Sequence, residues 1–428
     1  MKAVEVVAVV AALGAMVRPA PGEPPAAGPA LRLDQAIQLA LTRNERARIA
    51  ELDVAIADAG VAKARVAFLP ILAASGNDTL HPRDTPRDTA NGALTVNQPV
   101  FTPSAWPLYD QARHELSGQR AQSADDRRQL AFDAARAFVG VLLAEEVVEA
   151  AQRKLETSKA DLADTEAQVR AQLVSSNDVT RAQIGVAGSE RELASDRGSR
   201  DAAYVQLALV LDAPVAGGLE VPTALLDAGA RPPPAVEGLV AASLARRPDL
   251  AARKQLALAA HDFAREPRLR WLPSFDLVGQ LTANSQADRS GHEVSGTVAL
   301  TASWTIFDAG SRSADARSRD AQAEIADLTA QGLARTIDAQ VRTAAAQLVS
   351  AQQALAAAEA AMTASRKSAD ETAILYHQQL AKAIELLDAN EQRFAAEVNF
   401  AVAQFAVASA YLALRQAMGL DPLGEGLP

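Results

Sequence analysis

A chain of 428 residues with a formal net charge of −10 and no cysteine excludes a disulfide framework, thiolate metal ligation and a cysteine-borne lipid anchor. The acid excess, with no block of Lys and Arg, excludes nucleic acid as a partner, because phosphate binding needs a basic face. Length suggests two or three cores, but Ala-, Gln- and charge-rich stretches with only 4% aromatics point to long helices packed at close range.

The chain opens with Lys2, an apolar run over 6–17 and Pro- and Ala-rich sequence to Ala30. Residues 1–30 read as a signal peptide and processing region, too short and wrongly flanked for a spanning helix. No later stretch offers ~18 consecutive apolar residues, so membrane entry must be by strands.

Residues 34–70 read as a helix with Asp34 at its N-cap and Ile37, Leu41, Ile49, Leu52 and Ile56 on one stripe, closed by Phe68-Leu69-Pro70. Extended segments follow over 71–80 and 93–100, separated by a Pro/Asp/Arg/Thr loop. An uninterrupted helical pattern runs over 104–174, and a helix of about half that length over 177–211. At 1.5 Å per residue the long helix spans roughly 100 Å. Residues 212–235, rich in Pro and Gly, form a connector.

The same order then returns, roughly 205 residues later. A helical stretch over 236–273 closes on Trp271-Leu272-Pro273, a hairpin ends in Trp304-Thr305-Ile306-Phe307, a long helix covers 311–379, and a shorter one starts at Ala383. Leu209-Val210-Leu211-Asp212-Ala213-Pro214 ends the first copy and Met418-Gly419-Leu420-Asp421-Pro422 the second. The repeats are thus 31–211 and 236–422, with a tail at 423–428.

The second hairpin carries the clearest pattern. Val294, Gly296, Val298, Leu300, Ala302, Trp304 and Ile306 alternate with Ser295, Thr297, Ala299, Thr301, Ser303 and Thr305, and Phe275, Leu277, Gly279 and Leu281 give the partner strand the same face. Period-2 alternation suits a strand between lipid and a wet lumen, and equally one layer of a soluble sandwich. Two observations favour the membrane: there is no other sheet to pack on, and Phe68, Phe101, Trp106, Trp271, Trp304 and Phe307 all sit at strand-to-helix junctions. With both hairpins pointing one way, these rings make an aromatic belt at one membrane interface. Four strands cannot close a barrel, since ~8 is the practical minimum, so closure needs several copies.

Arg247-Pro248-Asp249-Leu250, Trp271-Leu272-Pro273, Phe307-Asp308-Ala309-Gly310 and Ile384-Glu385-Leu386-Leu387-Asp388-Ala389, in this order within a duplicated chain, resemble the TolC-type outer membrane efflux protein family over residues 31–422. Each motif is weak alone; order and repetition make the match. The resemblance implies a mainly α protein with a small membrane β part. An internally duplicated long-helix α-barrel would continue a twelve-stranded β-barrel shared by a homotrimer, four strands per protomer. It implies an outer membrane conduit spanning into the periplasm, fed by an inner-membrane transporter through a periplasmic adaptor. It brings no catalytic residue and no cofactor.

By the same resemblance Glu385 and Asp388, three apart and on one helical face, would form acidic rings at the periplasmic gate, although solvated helix charges explain them as well. Asp178 and Tyr376 match two members of a constriction latch; the basic member falls on Ala381, with Lys382 beside it. The turns around 174–182 and 380–389 match the adaptor-docking tips. His81, His114, His261, His292 and His377 are scattered without HExxH spacing, and no phosphate loop or nucleophile elbow appears, so an enzyme has no residue set and isolated surface histidines suffice. The remaining alternative is a soluble periplasmic coiled-coil adaptor or scaffold, which accounts for the helices but not for the alternation or the Trp positions.

Overall fold

Helix-forming residues run so far that two long helices set the frame of the molecule. The computed structural model describes residues 30–427 apart from 80–88, 216, 286–292, 379 and 425–426. The expected signal peptide, most of the first hairpin loop, His81 and His292 lie outside the described residues. In the first repeat the opening stretch is two helices, α1 (Leu33–Arg43) and α2 (Glu45–Arg65), followed by strands β1 (Ile71–Thr79) and β2 (Thr89–Phe101), the long α3 (Ala105–Arg170) and α4 (Ser176–Leu211). The connector holds a short helix, α5 (Thr223–Ala230), which its Pro and Gly content did not announce. The second repeat gives α6 (Val236–Arg246), α7 (Pro248–Leu269), β3 (Ser274–Asn284), β4 (Val294–Ser303), the long α8 (Ser311–His377) and α9 (Ala383–Ala417).

The four strands form one antiparallel sheet in the order β1-β2-β3-β4. Each strand is flanked in sequence by one helix, and above the molecule's middle those helices pack in the same order, α2 on α3, α3 on α7, α7 on α8. Below the middle, α4 replaces α2 and α9 replaces α7, so that α3 packs on α4 and α9, and α9 on α8. Half-length helices therefore stack end to end between full-length ones, giving a wall about 100 Å tall.

The stacking explains where the opening helices break. Asn44, backbone extended, ends α1, accepts a hydrogen bond from Arg46 N at 3.0 Å to cap α2, and donates Nδ2 to Val210 O, at the end of α4, at 2.9 Å. Arg247, with nearly the same backbone angles, ends α6, precedes Pro248 at N1 of α7, and donates Nη1 to Ala417 O, at the end of α9, at 3.2 Å. Each break residue thus ties the upper half-helix of its repeat to the lower one. The terminal turns match as well: Asp212 (φ 47°) and Gly419 (φ 73°) both adopt the left-handed conformation that ends a helix. Gly419 is therefore the counterpart of Asp212.

Two readings of α1 and α2 are corrected. Arg32 is the N-cap and Asp34 lies in the first turn. The break at Asn44 also resets the helical phase, so Ile37 is buried while Ile49, Leu52 and Ile56 are exposed. The main core is a belt at mid-height, where Phe132 and Phe138 of α3, Ile337 and Leu348 of α8, Leu412 of α9 and Leu239 of α6 are fully buried, each stabilising by roughly 1.5–3 kcal/mol. One helix among the described residues, α9, is long and apolar enough by composition to cross a bilayer, with a mean hydropathy of 1.3 over its best window. Sequence runs did not reveal it because its apolar residues are interspersed. Several of them, Phe405, Val407 and Leu412 among them, are buried in the belt.

Candidate functional site: sheet faces and helix tips

Antiparallel register places directly paired residues on the same face of a sheet. Leu72, Val96, Gly279 and Val298 form one rung; Ala74, Leu94, Leu281 and Gly296 the next; Gln98, Leu277 and Leu300 another. The opposite face alternates with these and carries the rungs Ala73-Thr95-Gln280-Thr297, Ser75-Ala93-Thr282-Ser295 and Pro99-Asp276-Thr301, with Thr282 Oγ1 2.7 Å from Ser295 Oγ. One face is apolar and exposed, Val298 being 78% and Leu300 67% accessible; the other is hydroxyl- and amide-rich. Among the described residues neither outer strand, β1 or β4, has a partner on its far edge.

The start of β1, end of β2, start of β3 and end of β4 lie at one end of the sheet, and the aromatics gather there. Phe68 packs on Trp106 with ring centroids 4.8 Å apart, and Phe101 on Phe275 at 6.2 Å. Trp304 Nε1 donates to Trp271 O at 3.0 Å. The buried Arg312 guanidinium lies 3.8 Å over the Trp271 ring, bonds Asp308 Oδ2 at 2.7 Å and Arg270 O at 2.9 Å, and so fixes the strand-to-helix passage. Trp304, Ile306 and Phe307 lie past the end of β4 at Ser303, so the alternating pattern outran the strand.

At the opposite end of the wall the long helices turn back. Ser175 caps α4, accepting from Asn177 N at 3.2 Å, while the Asp178 carboxylate accepts from Ser175 N at 3.3 Å, a reciprocal capping box. In the second repeat Glu385 stands at the same helical position and accepts from Lys382 N at 3.0 Å. Asp388 accepts from Gln392 Nε2 at 2.7 Å along its own helix, and both acids are exposed. A cavity of about 50 Å³ between the four helices is lined by Asp161, Thr165, Asp178, Arg181, Tyr376 and Leu386, among others. Tyr376 is buried, with its hydroxyl 3.5 Å from Thr165 Oγ1. Asp161 accepts from Asn390 Nδ2 at 2.8 Å, and burial raises its pKa above the usual carboxylate range.

Above this cavity an ion-pair cluster joins the same helices. Lys154 Nζ of α3 lies 2.8 Å from both Glu192 of α4 and Glu391 of α9. Its pKa is raised: burial works against the charge, but the two glutamate hydrogen bonds outweigh it. Buried Glu397 of α9 is met by Arg366 of α8, Arg393 of α9 and Arg153 of α3 at 3.1–3.7 Å.

The outer membrane efflux protein family's sequence profile matches residues 36–212 and 239–420, once per repeat. The chain belongs to that family. Its fold is that of solved channels of low sequence identity. The Neisseria gonorrhoeae MtrE outer membrane channel in its open state superposes with a TM-score of 0.79 at 21% identity, over 92% of this chain and 91% of that one. CusC, described through its folding and transmembrane channel formation, gives 0.80 at 18%, over 91% and 92%. The Campylobacter jejuni CmeC outer membrane channel gives 0.76 at 14%, over 92% and 87%. No curated protein shows a significant sequence match.

Within this efflux protein the expected latch residues Asp178 and Tyr376 share the walls of one cavity, and no hydrogen bond joins them among the described residues. Ala381 and Lys382 lie in the turn between α8 and α9. The histidines are not all isolated: His114 bonds Gln255 at 2.9 Å and faces Asp262 at 3.5 Å, and His261 meets Asp327 at 2.8 Å. Sequence reading missed Asp161, Lys154 and Glu397. The available signal for the first was a polar stripe, Ser158, Asp161 and Thr165, at helical spacing on one face of α3. No group of three metal-ligating side chains occurs among the described residues.

Proposed function

We propose that this chain is one protomer of a homotrimeric outer membrane channel that works as a passive conduit for efflux or type I secretion, together with a periplasmic adaptor and an inner-membrane transporter. The observation that carries this reading is the sheet: apolar on one face, polar on the other, open at both edges and continuous with a helical wall. Unpaired strand edges cannot stay in hydrocarbon, and four strands are too few to close, so three copies closing one barrel of twelve satisfy both constraints. The wall's free edges fit the same assembly, since Ile49, Leu52 and Ile56 of α2 and Ile325 and Leu328 of α8 are exposed in the single chain. A soluble adaptor would have to leave Val298 and Leu300 in water.

In this reading Phe101, Trp106, Trp271, Trp304 and Phe307 stand at the periplasmic membrane interface. Glu385 and Asp388 would ring the entrance, Asp178 and Tyr376 would hold it closed, and the exposed apolar tips Leu173, Leu380 and Ile384 would meet the adaptor. The test is paired. Val298→Lys on the apolar face should cost roughly 2–4 kcal/mol of barrel stability near the bilayer midplane, whereas Thr297→Lys on the polar face should be tolerated. Assembly is read as the mass of detergent particles extracted from outer membranes, with three chains expected. A soluble monomer, or equal behaviour of the two lysine variants, would sink the proposal.

A further inference from the structure

The polar face of the sheet carries one ionised side chain among the described residues. Its rungs are made of Ser, Thr, Asn, Gln and apolar residues, Ile71 and Val278 among them, and the exception is Asp276 of β3, between Pro99 and Thr301. Asp78 belongs to the other face, beside Ala90, at the loop end of β1. No Lys or Arg lies in any of the four strands. The nearby junction cations are committed elsewhere: Arg270 pairs with Glu266 and Asp315, and Arg312 with Asp308. Asp276 makes no ion pair among the described residues, so its charge is left to act on the space in front of it.

We infer that Asp276 is a charge-selectivity residue of the barrel lumen, setting a preference for cations at the junction end of the barrel, a full helix length away from Glu385 and Asp388. The inference rests on the trimer reading above, which turns one carboxylate into three at one level. In a barrel of this size each would lie about 10 Å from the axis. Summed and screened at 0.1 M salt, where the Debye length is also about 10 Å, three such charges favour a monovalent cation over an anion by roughly two- to fivefold. At 1 M salt the Debye length falls to about 3 Å, and the preference should vanish. Asp276 sits in a paired strand, so this contribution stays fixed when the helix tips move.

The experiment is the zero-current potential of the purified trimer in a planar bilayer under a tenfold KCl gradient centred on 0.1 M. Asp276→Asn should lower the K⁺/Cl⁻ permeability ratio by about two- to fivefold, Asp276→Glu should keep the wild-type value, and the difference should disappear near 1 M. The double variant Glu385→Gln/Asp388→Asn should retain the Asp276-dependent part. A wild-type potential in an Asp276→Asn trimer overturns the inference while leaving the channel standing. A wild-type protein that forms no trimer or passes no current overturns the channel reading, and the inference with it. Asp276→Ser, which matches its rung neighbours, guards against misassembly of the asparagine variant and should behave like it.

Discussion

The two repeats bend their backbones at matching places but bond those places with different side chains. Asn44 and Arg247 both break an opening helix and both donate to the end of the repeat's last helix. Asn44 makes a single bond of this kind and caps its helix with the same amide group. Arg247 also forms a two-pronged pair with Asp249 at 2.9 and 2.6 Å and reaches Gln340 at 2.6 Å. The left-handed turn is Asp212 in one repeat and Gly419 in the other. What the duplication retains is the position of an unsatisfied helix end and a donor to meet it; the residue that donates is free to drift. The joint of the second repeat is an ion pair where that of the first is a neutral amide, and it should be the more fragile.

The largest expected effect therefore falls on Arg247. Replacement by Ala strands the half-buried Asp249 and the α9 carbonyl, and breaking such a buried pair costs about 3–5 kcal/mol. Asn44→Ala removes one cap and one long-range bond and should cost about 1–2 kcal/mol. The difference is read from thermal loss of helical circular dichroism in detergent. It should narrow on acidification: Asp249 is held below the usual carboxylate range, burial opposing and the Arg247 bonds prevailing. A depressed carboxylate stabilises above its unfolded pKa, and that stability is lost as pH falls through the folded value. Equal costs for Arg247→Ala and Asn44→Ala at neutral pH would remove the claimed asymmetry.

The turn residues offer a smaller contrast of opposite sign. A Cβ on Gly419 would stand 2.8 Å from Arg247 Cγ and 3.1 Å from its Cα, and the positive φ adds its own penalty. Gly419→Ala should cost about 2–4 kcal/mol. Asp212 pays the left-handed penalty already, so Asp212→Gly should gain up to about 1 kcal/mol. Losses at both positions would mean that the two turns are not equivalent.

Helix order, repeat and strand alternation were legible because they are periodic signals that a single chain carries in full. The ends were not. The break at Asn44 was missed because its partner, Val210, lies 166 residues away, and nothing local demands it. The β4 pattern ran on to Ile306 because alternation reports face, whereas strand ends depend on a pairing partner, here Ser274 opposite Ser303. The tips were half legible. Glu385 and Asp178 stood out as acids near turns, yet their observed bonds are to backbone N–H groups at their own helix starts, which any first-turn acid can make. Asp161 was invisible among the many charges of α3, since only packing against α9 distinguishes it.

That residue gives the subtlest contrast between the repeats. Ser368 holds the position in α8 that Asp161 holds in α3, so one repeat keeps a carboxylate where the other keeps a hydroxyl. The groups facing Asp161 are Asn390 of α9, which donates to it, Asp164 of its own helix, which raises its pKa further, and His377 of α8, which lowers it; Asp178 and Arg181 of α4 share its cavity. Burial is the largest influence, and the net shift is upward. A carboxyl whose folded pKa lies above its unfolded value binds its proton more tightly when folded. Its ionised form therefore opposes folding at neutral pH, and the opposition is relieved as pH falls through the folded value. Asp161→Asn keeps an acceptor for Asn390 and removes the charge. The variant should unfold at a higher temperature than wild type at pH 7, with the advantage shrinking as pH is lowered towards the ordinary carboxylate range. Ser368→Asp would place the same charge in the other repeat; if the four-helix junction beside Tyr376 is what makes the charge costly, that variant should show a smaller pH-dependent change. A wild-type pH profile for Asp161→Asn would mean that the cavity is wet enough to solvate the carboxylate and that the repeats do not differ there.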